Sequence, residues 1–137
     1  MPLLSVSDFS AKADANILVS SISFETVEGK ITGIVGESGS GKSVTCMGLT
    51  RLLPSNVSIK GHVIFKDKDE NEINLLECDN EKLRTLRGKE IAYIFQEPMT
   101  ALNPVHTCGY QVEEAIKAHQ NLDKNQRKQK VSDHLRK

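Results

Sequence analysis

Two periodicities govern the hydrophobic and polar positions of this chain, one of two residues and one close to three and a half. Residues 3–8 and 17–24 read as short strands, with the polar, alanine-rich stretch 10–16 between them as a turn region. Residues 57–65 read as a third strand, followed by an acidic loop. Ile91–Phe95 differs in texture, being a continuous apolar run with β-branched and aromatic residues, and Ile31–Val35 reads as a buried strand running into the glycine-rich loop that follows it. Runs of that kind suit strands covered on both faces. Helical spacing marks Val44, Met47, Gly48 and Leu52, which predicts a helix over 44–53 closed by Pro54. A short helix is expected over 81–87, ended by Gly88. Pro98 and Pro104 bar regular helix from the loop 96–104. Beyond it Val112, Ala115, Ile116 and His119 share one helical face. Asp123 with Gln126 three residues later resembles a capping box opening a last helix.

At 137 residues, one domain with a genuine core is the expectation. Lys+Arg and Asp+Glu are both 18, so no global charge points to nucleic acid. Locally the balance shifts: 67–81 is acidic with Lys68 its single base, and 117–137 is basic. Neither run interleaves aromatics, so both read as solvated faces rather than as nucleic-acid surfaces. Cys46, Cys78 and Cys108 form no CxxC pair, against a disulfide framework or zinc site and in keeping with a reducing compartment. The N-terminal residues lack the charged-then-apolar order of a signal peptide. No apolar run approaches the roughly 20 residues of a bilayer span. Any membrane work would therefore need another subunit to do the spanning.

The chemistry is concentrated in Gly36, Glu37, Ser38, Gly39, Ser40, Gly41, Lys42 and Ser43, a complete phosphate-binding P-loop. It lies between an expected strand and an expected helix, the order that phosphate binding requires. Glycines at 36, 39 and 41 let the backbone turn tightly and approach phosphates closely. The amides of the loop and first helical turn form a nest for phosphate oxygens. Lys42 supplies a mobile charge toward the β- and γ-phosphates, and the Ser43 hydroxyl suits Mg²⁺. A guanine-reading Asn-Lys-x-Asp motif and an Asp-x-x-Gly are both absent, which argues against a GTPase. A small-molecule kinase is compatible with the P-loop alone.

The segment Tyr93–Pro104 narrows the choice, for it matches a kinase poorly. Together, 36–43 and 93–104 strongly resemble the ATP-binding subunits of ABC transporters. The resemblance is closest to the dipeptide/oligopeptide (and nickel) importers, a group whose style 83–92 and Val44 also share. It implies an α/β P-loop NTPase core of an ABC nucleotide-binding domain, with N-terminal antiparallel strands and the start of a helical subdomain, truncated. The implied domains are 1–96, the N-terminal part of the ATPase core, and 97–137, the Q-loop and an incomplete helical subdomain. Residues 36–44 would hold ATP, and Ser43 and Gln96 the Mg²⁺. Lys42 and Gln96 would be catalytic, Gln96 as the Q-loop glutamine reaching the metal and attacking water. The implied partners are a second nucleotide-binding subunit, permease subunits and, indirectly, a substrate-binding protein, at the cytoplasmic face of the bacterial inner membrane.

Two departures qualify the resemblance. Ala13 stands where the family usually has an adenine-stacking aromatic, so weaker or less base-selective binding is expected. After Gln96 nothing resembles the Leu-Ser-Gly-Gly-Gln signature, Walker B or the switch histidine. Positioning and charge stabilisation carry phosphoryl transfer, so this chain alone is expected to be a negligible ATPase, marginally folded. The alternative reading is a non-catalytic nucleotide-binding regulatory module.

Overall fold

Residues 2–95 and 102–136 are described in the computed structural model, where the chain falls into two units, Met1–Leu83 and Arg84–Lys137. The first is built on β1 (Pro2–Ala13), β2 (Asn16–Val27), β3 (Val57–Lys66) and β4 (Glu72–Asn74), with helix α1 (Lys42–Leu49). Helix α2 (Asn80–Leu86) spans the division, and the second unit carries α3 (Cys108–His119) and α4 (Lys124–Leu135). The strands form one antiparallel sheet in the order β2-β1-β3-β4. The fold is therefore mixed α/β with an N-terminal antiparallel sheet.

The first two strands run through most of the stretch that the composition marks as turn, which shrinks to Asp14 and Ala15. The ladder runs on to Ala13↔Asn16, and it carries a bulge nearer the start of β1. Pairing with β2 jumps from Val6↔Phe24 to Phe9↔Ile22, and Asp8 adopts φ 51. The extra residue shifts the side-chain parity, so Val6, Phe9 and Ala11 are all buried in the core. Gly61 of β3 lies opposite with φ 112, where a Cβ would come 2.7 Å from the carbonyl oxygens of both Ser7 and Asp8. Only glycine admits that approach.

Helix α1 packs on the same face, burying Thr45, Gly48 and Leu49. It is shorter than its apolar spacing suggests, ending at Leu49, and Leu52 is exposed. Arg51 takes φ 57, its N–H bonds Gly48 O at 3.0 Å, and the Leu52 N–H bonds Met47 O at 2.9 Å. This Schellman arrangement turns the chain back before Pro54 can stop it.

The two apolar runs expected as buried strands are not strands. Residues 31–35 and 92–95 carry no regular structure, and Ile31, Val35 and Ile94 are almost wholly exposed. Ile91 alone makes an isolated bridge, to Arg87. A strand of a parallel sheet takes its hydrogen bonds and its cover from neighbours on both sides. Among the described residues, neither run has such neighbours.

In the second unit, α3 and α4 form a helical hairpin. Its signals are local ones: Thr107 caps α3, and Asp123 and Gln126 complete the capping box at α4. Ile116 is buried and Val112 and His119 are half-buried, whereas Ala115 of the expected face is exposed. Arg127 Nε donates to Glu113 Oε1 at 3.3 Å across the pair.

Candidate functional site

The P-loop follows the irregular stretch 30–35 after β2 and ends at the first residues of α1. Gly41 is the N-cap of that helix with φ 88, and Gly39 has φ 82. Both conformations are steep for any residue with a Cβ. At Gly41 space matters as well: a Cβ would stand 2.8 Å from Leu18 O and from Val19 Cγ2. Strand β2 thus forms a wall against which the loop is pressed. Nothing stands within 4 Å of a Cβ placed on Gly39, so the rim there is open to an incoming group.

Within the loop, Glu37 O accepts from the Ser40 N–H at 3.2 Å, which closes the turn. Lys42 Nζ then donates to Gly36 O at 2.8 Å, to Glu37 O at 2.6 Å and to Ser40 Oγ at 3.3 Å. The ammonium is thereby drawn over the loop that precedes it. The first turn of α1 presents amides not bonded within the helix, with the positive end of its dipole. A cradle of glycines, a helix N-terminus and a positioned ammonium together fit a polyphosphate. Ser43 is exposed in the first turn and Val44 is half-buried behind it. A hydroxyl at that place fits a Mg²⁺ ligand sphere made of phosphate and water oxygens.

The structure therefore brings residues 36–44 together. Gln96 lies outside the described residues. Ala13 is the last residue of β1, paired with Asn16 and with Val57. Phe9, the nearest aromatic on that strand, is fully buried beneath α1 and offers no ring to a base. The packing of Leu18 and Val19 against Gly41 is not legible in the sequence, because nothing in their local pattern distinguishes them from other strand residues.

Elsewhere Asp67 departs from the solvated character of its acidic run. It is buried, and its carboxylate accepts from the backbone N–H groups of Asp69 and Asn71 and from the Asn71 side chain. The hydrogen bond from the Asn71 backbone holds its pKa below the ordinary value, against the opposing effect of burial; Lys82 adds a smaller pull in the same direction. That is the chemistry of a turn between β3 and β4. Among the described residues, no group of three His, Cys, Asp or Glu side chains is gathered as for a metal ion. No described helix is long and apolar enough to cross a membrane.

Comparison with known proteins gives the same direction as the loop. The profile of the ABC transporter family matches residues 19–137. The chain is 44% identical over 117 residues to a protein of Sinorhizobium fredii named "Probable peptide ABC transporter ATP-binding protein", covering 84% of this chain and 33% of that protein. It is 42% identical over 117 residues to the dipeptide transport ATP-binding protein DppD of Escherichia coli, covering 85% of this chain and 35% of DppD. It is 44% identical over 108 residues to the glutathione import ATP-binding protein GsiA of Pectobacterium atrosepticum, covering 77% and 17%. The chain spans about a third of the length of the first two of these relatives. With its P-loop formed at the start of α1 and the profile matched over most of its length, this chain belongs to the ABC transporter family, in its ATP-binding part.

Proposed function

We propose that this chain binds MgATP through residues 36–44 and serves the ATP-driven import of small peptides. The observation that carries the reading is the convergence of Lys42 on the loop 36–40 at the N-terminus of α1. The names of the relatives favour peptides as cargo.

In this reading the loop amides and Lys42 neutralise the phosphates, and Ser43 and Gln96 hold the metal. Bound Mg²⁺ would supply charge neutralisation at the phosphates. Lys42 orients the terminal phosphate, and the wall made by Leu18 and Val19 keeps the loop from widening. The intact protein would work with a second nucleotide-binding subunit and permease subunits fed by a substrate-binding protein. Its place would be peripheral, at the cytoplasmic face of the inner membrane. With Ala13 in place of an aromatic at the end of β1, base selectivity is weak, and ATP and GTP compete on similar terms. The 137-residue chain by itself binds nucleotide without appreciable turnover.

Equilibrium titration of ATP with Mg²⁺ against wild type and Lys42→Ala tests the core of this. Losing a charge-assisted hydrogen bond should weaken binding roughly 10- to 150-fold. Equal affinity in the two proteins would remove the P-loop from the function.

A further inference from the structure

We propose that Ser40 is a positioning residue that gates the P-loop, holding the Lys42 ammonium in a closed arrangement that an incoming phosphate must open. The inference rests on the nucleotide-binding reading above and adds to it a residue with a defined direction of effect.

An ammonium has three donors and no acceptor. Here all three meet oxygens of the loop itself: Gly36 O, Glu37 O and Ser40 Oγ. A phosphate arriving at the loop must therefore take over at least one of them. The two carbonyl contacts are shorter, 2.8 and 2.6 Å, and both are to backbone, Glu37 O being also the acceptor that closes the 37–40 turn. The third, at 3.3 Å, is to a hydroxyl on a single rotatable bond. It is the weakest of the three and the one that can leave without moving the backbone.

A second feature of the loop points to the same hydroxyl. Gly36 does not have the positive φ of Gly39 and Gly41, so conformation does not explain a glycine there. Space does: a Cβ on Gly36 would come 2.6 Å from Ser40 Oγ and 3.3 Å from its Cβ. In this arrangement the missing side chain at 36 makes room for the Ser40 hydroxyl, which is wedged between Gly36 and Lys42. The closed loop is thus a packed unit of three residues, with Ser40 as its removable part.

The consequence is opposite to that of an ordinary binding residue. Removing the Ser40 hydroxyl takes away a competitor for the Lys42 ammonium, so phosphate binding becomes tighter. One exposed hydrogen bond released should be worth roughly a two- to fivefold gain in affinity. Ser40→Thr keeps the hydroxyl and should bind as wild type does. Ser40 is exposed, so neither change threatens the core.

The test is isothermal titration of the intact protein with inorganic tripolyphosphate, in wild type, Ser40→Ala and Ser40→Thr. Tighter binding by Ser40→Ala, with Ser40→Thr restoring the wild-type value, supports the gate. Unchanged or weaker binding by Ser40→Ala overturns it and leaves the P-loop assignment standing. A wild-type protein that binds neither tripolyphosphate nor ATP overturns the nucleotide reading and the gate with it.

Discussion

The ring of Phe9 and the backbone of Gly48 are in direct contact: a Cβ on Gly48 would lie 2.5 Å from Phe9 Cζ. This contact joins the sheet to the helix that carries the P-loop, and Phe9 is fully buried in making it. Alanine at 48 would gain about 1 kcal/mol of helix propensity over glycine. Overpacking a filled core costs about 1–3 kcal/mol. Packing should win, because the neighbour is a ring held on all sides. Gly48→Ala is therefore expected to lower stability by up to about 2 kcal/mol in urea denaturation. Adding Phe9→Leu to Gly48→Ala should recover part of that loss, as a double-mutant cycle will show. A Gly48→Ala protein more stable than wild type would mean that helix α1 stands further from the sheet.

Arg51 follows the same helix and takes a conformation unfavourable to it, with φ 57. Its guanidinium compensates: Nη1 donates to Cys78 O at 2.7 Å and Nη2 to Asn80 Oδ1 at 2.7 Å. Side chain and backbone therefore pull in opposite directions. Arg51→Ala loses the bonds and keeps the strain, and should cost about 1.5–3 kcal/mol. Arg51→Gly loses the bonds but relieves the strain, and should be less damaging by about 1 kcal/mol. Thermal melts of the two variants give the order, and a glycine variant worse than the alanine one would refute the account.

Much of this is legible in the sequence, and the failures have physical causes. The P-loop, β3 and the α4 capping box depend on neighbouring residues only, so Gly41, Lys42, Asp123 and Gln126 announce themselves. The bulge at Asp8 does not, because its enforcement comes from Gly61, far along the chain. Once parity shifts there, Phe9 and Ala11 become core residues that simple alternation could not place. The early end of α1 depends on Arg51 accepting a positive φ, which its partners at Cys78 and Asn80 sustain. Ile31–Val35 and Ile91–Phe95 carry the composition of strands, but pairing is a property of neighbours and not of composition. Gln96, named from resemblance alone, lies outside the described residues.

The turn at Asp67 predicts a dependence on acid. Its folded pKa lies below the ordinary 3.8, so the folded state favours the ionised carboxylate. The stabilisation is full at pH well above 3.8 and is lost as pH falls through the folded value. Asp67→Asn removes the charge that accepts from Asp69 and Asn71 and pairs with Lys82 at 3.5 Å. Its denaturation midpoint should lie below that of wild type by a constant amount at neutral pH. The gap should narrow once the pH is lowered past the ordinary aspartate range. A gap that does not change with pH would show that the turn is held by shape and not by charge.

Ile31, Val35 and Ile94 stand almost fully in solvent, although an apolar run of this length ordinarily pairs and is covered. Two consequences follow for the 137-residue chain taken alone. Amides of 31–35 and 92–95 should exchange hydrogen within about tenfold of unprotected rates, as expected for locally open backbone. Amides of β1 and β3, which pair with each other from Leu4↔Phe65 to Ala13↔Val57, should be protected. The exposed apolar side chains should also bind a hydrophobic dye, and they leave the chain prone to association. Peptide-resolved exchange by mass spectrometry reads both sets of amides. Slow exchange at 31–35 in the 137-residue chain, together with a sharp cooperative melt and measurable ATP turnover, would show that this chain closes its own sheet around the P-loop.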